Sequence, residues 1–189
     1  EFMFQYHVNG QAPDMNLFVN ILNTTDPLNV TMGNTNLKPS YKHELISHFL
    51  RIYPKKGLMW LIEAQYIPTV NAIAMGYTYD KATGKRTFRP DNVNGNWHGQ
   101  LALGGAGPLT KNRKLDFKAM AGLRYEKSVD LIGLAGTSAA NRSIVVSLNY
   151  VGDLQLNYRL GQSSIGFISK GNWAHVDGTR EDFEPFNVS

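Results

Sequence analysis

The side chains best equipped for chemistry lie in short, separate stretches of the chain. The acidic run "REDFEPF", residues 180–186, carries Glu181, Asp182 and Glu184. Their hard oxygen donors are what a calcium ion or a cationic ligand would need, and also what an ordinary solvated loop presents. His43 and His48 are five residues apart. A strand sends such a pair to opposite faces and a helix sets them about 140° apart, so neither arrangement makes a zinc pair. "GQSSIG", residues 161–166, misses the spacing of a serine nucleophile elbow and reads as a turn. "GGAGP", residues 104–108, lacks the strand-then-helix setting of a phosphate loop. Glu44, Glu63 and Glu126 are separated by whole strands, which leaves no carboxylate pair for glycoside chemistry. No nucleophile, base and orienting group can be assembled. The expectation is a non-enzymatic chain with no cofactor and no metal centre.

Composition narrows the rest. Over 189 residues, Lys plus Arg is 19 against 15 for Asp plus Glu, a net charge of +4, and the basic residues are scattered. Nucleic acid is therefore not an expected partner. With no cysteine there is no disulfide framework and no thiolate metal site. No apolar run reaches 18 residues and the mean hydropathy is −0.29, so a membrane-spanning helix is excluded. A spanning β-barrel passes that filter, because its strands hide only alternate apolar residues. No basic segment followed by an apolar one opens the chain, so any export signal is expected elsewhere.

The elements that would position these side chains are strands. In residues 115–125 the positions Leu115, Phe117, Ala119, Ala121, Leu123 and Tyr125 alternate with Asp116, Lys118 and Arg124, giving one oily and one charged face. Residues 143–160 repeat this, with Ile144, Val146, Leu148, Tyr150, Leu154, Leu156, Tyr158 and Leu160 set against Asn149, Asp153, Gln155, Asn157 and Arg159. Gly152 keeps the phase, which argues against a hairpin there. Residues 41–53, 58–71, 96–106 and 164–176 complete about six long strands. Short basic turns at 53–57, 107–114 and 160–164 join some of them. Longer polar connections at 23–40, 76–95, 128–141 and from 177 onward join the others, and "YDKATGKRT" in the second should form a small hairpin. Short turns at one end and long loops at the other is the asymmetry of a membrane barrel.

A soluble antiparallel sheet with one wet face gives the same alternation. Length separates the two. An eleven-residue strand is about 36 Å long and, tilted by about 45°, spans roughly the 25 Å apolar band of a membrane barrel, whereas strands of globular proteins run to about 5–6 residues. Trp60, Trp97 and Trp173 each fall near an expected strand end, where amphipathic rings settle at a membrane interface. The fold expected is all-β: an antiparallel up-and-down meander of long amphipathic strands, part of or closing into a β-barrel. The alternative from another class is a soluble small β-barrel or β-sandwich that binds a carbohydrate or an apolar ligand.

More specific stretches point to a family. "DPLNVTMGNTNLKPSYKHEL" (26–45), "YPKKG" (53–57), "NAI" (71–73), "YDKATGKRTFRPDNVNGNW" (79–97) and "NRSIVVSLNYVGDLQLNYR" resemble the C-terminal β-barrel of TonB-dependent receptors and the related outer-membrane β-barrel family of Gram-negative bacteria. The element formed by Gly33, Asn34, Asn36, Leu37, Lys38 and Pro39 is the most recurrent piece and stands just before a barrel strand in that family; members often have proline where this chain has Thr35. Physically it reads as a strand-entry device: Gly33 and the asparagines suit turn or left-handed backbone, and Pro39 holds Lys38 extended.

The resemblance implies an outer-membrane location, contact with outer-membrane lipid and a part in nutrient binding and uptake, the ligand being unspecified. It also implies, for the whole protein, an energy-coupling partner and a surface lipoprotein. Residues 1–189 are then expected to be a single barrel segment, a fragment of a larger barrel with no plug domain in it. Ligand contacts would come from the long loops and from Asp116, Lys118, Arg124 and Glu126, which the alternation assigns to the lumen.

Overall fold

The structure, a computed structural model, describes residues 1–19, 26–132 and 141–179. Its strands are β1 (Phe2–Gln11), β2 (Asn29–Thr31), β3 (Ser40–Tyr53), β4 (Leu58–Val70), β5 (Ala72–Tyr79), β6 (Arg86–Val93), β7 (Asn96–Pro108), β8 (Leu115–Ile132), β9 (Asn141–Leu160) and β10 (Ser163–Thr179), with a single-turn helix α1 (Met15–Phe18). Seven of them form one sheet in the order β1-β3-β4-β7-β8-β9-β10, every neighbour antiparallel. The six expected long strands are all in it. β1 is a seventh that the reading above did not anticipate, although Phe2, Phe4, Tyr6 and Val8 alternate with Met3, Gln5, His7 and Asn9. Gly152 lies within β9, opposite Ala121 and Gly171, and no turn forms there. Among the described residues β1 and β10 are the two edges of the sheet, which is open.

Unbroken register carries one side-chain parity across the whole sheet. Tyr66, Gly99, Tyr125 and Leu148 lie on one row, as do Trp60, Gly105, Ala119 and Leu154. The face they share holds Phe49, Ile62, Leu103, Phe117, Leu123, Tyr150 and Tyr158, and among the described residues no second layer covers this stripe: Trp60 is 45% exposed and Leu103 46%. A soluble sandwich or cup would have buried it, so the open stripe speaks against that alternative.

Aromatic rings gather in two rows at the ends of this face. Tyr66, Trp97 and Tyr125 pack in series, with ring centroids 5.3 and 4.4 Å apart, and Tyr150 packs on Trp173 at 5.3 Å. At the other end Trp60 meets Phe117 at 6.0 Å, with Tyr53 and Tyr158 nearby along the same face. From Phe117 to Tyr125 the separation along the strand is about 26 Å at roughly 3.3 Å per residue, which a tilt of about 40° turns into about 20 Å of height, the greater part of the apolar band between the aromatic girdles of a membrane barrel. Trp173 is in the middle of β10 and not at its end, because β10 runs on to Thr179.

The turns at one end are short: residues 54–57, 109–114 and 161–162. At the other end the connection between β4 and β7 is itself folded. After Asn71 (φ 53°) the chain leaves the main ladder as β5, returns as β6, and rejoins it at Gly95 (φ 110°). β2 adds to β6 in parallel. This small sheet packs on the end of β8, where Leu131 joins Ala74 and Val93 in a core cluster and Val129 is 3% exposed.

The turn between β5 and β6 is the hairpin expected at "YDKATGKRT". The Asp80 carboxylate accepts the Ala82 amide at 2.9 Å and the Thr83 hydroxyl at 2.6 Å, and Gly84 (φ 69°) takes the left-handed position. The Thr83 hydroxyl foremost, then the Ala82 N–H, hold the Asp80 carboxyl below its ordinary value. Because that folded value is depressed, the turn gains stability that is complete above about pH 4 and is lost as pH falls through the lowered value. A carbon-13 titration of the Asp80 carboxyl is expected to give a midpoint below about 4, with the Ala82 amide shift following it.

Candidate functional site

The face opposite the apolar one carries most of the charged and amide side chains, from several strands at matched register, beside an apolar patch of Ile52, Met59, Met120 and Val151. On β8, Asp116, Lys118, Arg124 and Glu126 share that face with Met120 and Gly122. The sheet divides the four. Asp116 accepts a hydrogen bond from the Arg159 guanidinium at the short-turn end, and Lys118 lies between Ala106 and Gln155. Arg124 lies between Gln100 of β7 and Asn149 of β9, and Glu126 between His98 and Ser147. These two open onto cavities near the long connections. One, of about 530 Å³, is lined by Gln100, Arg124, Glu126, Asn149 and Asn172. The other, of about 250 Å³, is lined by Lys42, Glu44, Thr69, His98 and Glu126. Glu126 belongs to both.

This surface mixes both signs of charge with amides and hydroxyls, which suits orienting a polar solute by hydrogen bonds. Its ion pairs, Arg159 with Asp116 and Lys170 with Asp153 at 3.3 Å, are half or more exposed on the cationic side, and exposed pairs contribute only about 0–1 kcal/mol each. Lys42, Glu44, Gln100, His98 and Asn172 were missed as site residues. Their parity was readable in each strand, but only the pairing register brings them beside Arg124 and Glu126.

His43 and His48 lie on opposite faces, as a spacing of five requires: His43 Nδ1 is 2.8 Å from the Tyr6 hydroxyl and His48 Nδ1 is 3.1 Å from Glu63 Oε1. Among the described residues no three acidic or histidine side chains converge on one point. Glu181, Asp182 and Glu184 lie outside the described residues.

The stretch from Gly33 to Pro39 is fastened to the small sheet by side-chain amides. Asn34, 4% exposed, donates from Nδ2 to the Pro90 carbonyl at 2.9 Å, while its Oδ1 accepts the Asn36 amide at 3.0 Å. Leu37 N–H closes a turn on the Asn34 carbonyl at 3.3 Å, and the Leu37 side chain is buried. Lys38 is then clamped at both backbone groups by Asn92: its N–H donates to Oδ1 at 2.7 Å and its C=O accepts from Nδ2 at 3.0 Å. Asn92 Nδ2 also reaches the Asn71 carbonyl at 2.9 Å. β3 begins two residues later. Positive φ occurs at Asn71 and Gly95, and not at Gly33, Asn34 or Asn36: of the turn or left-handed backbone expected there, the turn is what forms, and side-chain hydrogen bonds hold it.

Long antiparallel strands, an uncovered apolar band between two aromatic rows, a polar opposite face and short turns at one end define an outer-membrane β-barrel protein. The chain matches the model of the outer membrane protein beta-barrel family over residues 1–183, and it belongs to that family. Its location is the outer membrane. No curated protein and no solved structure gave a match.

Two substitutions test the clamp. Asn92→Ala removes three hydrogen bonds and is expected to destabilise the β2–β6 region by about 1–3 kcal/mol, seen as faster amide exchange at Lys38. Thr35 occupies the second position of the Asn34–Leu37 turn, where proline is favoured, so Thr35→Pro is expected to stabilise by about 0.4–1 kcal/mol in denaturant unfolding.

Proposed function

We propose that this chain is the barrel wall of a TonB-dependent-receptor-like protein that binds a nutrient at the outer face and takes part in its energy-coupled passage across the outer membrane. The observation that carries this reading is the Gly33–Pro39 element, whose sequence resembles that of those receptors and which is pinned through Asn34 and Asn92 ahead of β3, whose Lys42 and Glu44 line one polar cavity. In this reading the apolar face meets lipid and the polar face lines the lumen. Arg124 and Glu126 contact the passing solute, and Asp116 and Lys118 lie further toward the short turns. The partners are the nutrient, an energy-coupling protein acting on the whole receptor, and a surface lipoprotein at the long-loop end. The chain's part is binding and passage, with no reaction catalysed.

Uptake by the native cell tests the role. With a panel of labelled oligosaccharides and metal chelates, deleting the gene or collapsing the proton-motive force is expected to abolish uptake of at least one of them. Joint Arg124→Ala and Glu126→Ala replacement should lower that uptake while leaving the protein in the membrane. Uptake indifferent to the proton-motive force would instead mean a passive pore.

Orientation has a separate test. Ala119 is on the apolar face, level with Trp60 and one pleat inside Phe117, so Ala119→Arg is expected to cost about 1–2 kcal/mol of folding stability in lipid vesicles, between the interface and midplane values. Lys118→Ala, one residue away on the polar face, should cost far less in the same folding titration.

A further inference from the structure

On the apolar face, near the short turns, the sheet is not flat. A groove of about 590 Å³ opens across β3, β4, β7 and β8, within the range of small-molecule sites. Its floor is made of residues with little or no side chain, Gly105, Ala119 and Ala121, and its walls of Phe49, Ile62 and Leu103. Trp60 lies flat over Gly105: a Cβ on that glycine would sit 2.5 Å from the indole. The ring is thereby laid sideways to meet Phe117, and the hollow beyond it is left open.

The mouth of the groove is cationic. Arg51 and Tyr53 line it. The Arg51 guanidinium is 5.2 Å from the centre of the Tyr53 ring, and the Lys56 ammonium is 5.9 Å from the centre of the same ring. Neither cation has a carboxylate partner among the described residues. Behind them, the turns at 54–57, 109–114 and 161–162 carry Lys55, Lys56, Lys111, Arg113 and Lys114 and no Asp or Glu. Arg113 donates to the Lys55 carbonyl at 3.1 Å and draws two of these turns together. Like charges gathered around one ring repel, and an anion between them relieves that repulsion.

We propose that this groove is a binding site for one anionic phospholipid of the leaflet that faces the short turns. Its phosphate sits between Arg51 and Lys56, and one acyl chain lies past the edge of the Trp60 ring along Ala119 and Ala121. The planar guanidinium suits a phosphate's paired oxygens and the ammonium supplies a second point charge. The short turns of membrane barrels face the periplasm, which sets the leaflet. An apolar groove alone would accept any lipid tail; the paired cations at its mouth select the negative headgroup. The proposal rests on the apolar face meeting lipid.

The test uses the whole protein, purified from outer membranes and reconstituted into vesicles containing a minor fraction of phosphatidylglycerol with a photoactivatable acyl chain, or the same fraction of phosphatidylcholine carrying the same chain. Cross-linked peptides are mapped by mass spectrometry. The phosphatidylglycerol probe is expected to label the peptides containing Trp60, Gly105 and Ala119 several-fold more than the phosphatidylcholine probe. Arg51→Gln should reduce that excess about fivefold, and the double Arg51→Gln, Lys56→Gln variant should abolish it. Ala121→Leu, which fills the floor and leaves the charges in place, should also reduce it, with heat-shifted gel mobility confirming folding of each variant. Equal labelling by both probes, or an excess that survives the double variant, would overturn the site while leaving the lipid-facing orientation intact. Labelling of this face by neither probe would overturn the orientation and the site together.

Discussion

A strand that crosses lipid has no water to satisfy its N–H and C=O groups, so each must find a partner in the next strand. In this chain that constraint takes the form of an unbroken ladder. From Leu115 to Ile132, β8 pairs residue for residue with β9, without a bulge. Because side chains alternate with period two, a single slip would exchange lipid-facing and polar residues along everything downstream. The clean division between a Leu115, Phe117, Leu123, Tyr125 face and an Asp116, Arg124, Glu126 face is thus a product of register as much as of composition. The cavities around Arg124 inherit their residues from the same pairing.

Register needs fixed points, and the long-connection end supplies them. The main ladder is interrupted at Asn71 and Gly95, where positive φ turns the chain out of the sheet, and that departure leaves backbone groups that cannot pair in ladder fashion. Asparagine amides take them over: Asn92 serves Lys38 and Asn71, and Asn94 Oδ1 accepts the Asn71 N–H at 2.7 Å. A chain that re-enters the sheet at Ser40 does so from a residue already held at both its amide and its carbonyl.

Much of this was legible in the sequence, because period two is a local signal and the strands are long. The alternation of Leu115 to Tyr125 and of Ile144 to Leu160 fixed both elements and their faces, and the phase across Gly152 correctly denied a turn. β1 was as well patterned, through Phe2, Phe4, Tyr6 and Val8, with Pro13 and Asp14 close behind it, and went unread although these signals were present. The polar cavities were not legible: Gln100 and Asn172 reach Arg124 only through the pairing register of β7, β8, β9 and β10, which the alternation within each strand does not set. Nor was the mechanism of the Gly33–Pro39 turn, since its hydrogen bonds run to Pro90 and Asn92, more than fifty residues away.

The far end of β8 shows how one side-chain pattern can answer to two surroundings. Val129 and Leu131 continue the parity of Leu115 to Tyr125, yet past the aromatic row they are roofed by the small sheet. Within one strand the same alternation is governed first by transfer into hydrocarbon and then by close packing against Ala74 and Val93. Substitution tolerance should therefore change character along its length, from indifference to shape and sensitivity to charge below Tyr125 to sensitivity to volume above it. The run of alternation overstates how much of β8 is in the bilayer, and the rings at Trp97 and Tyr125 are the better ruler for membrane thickness.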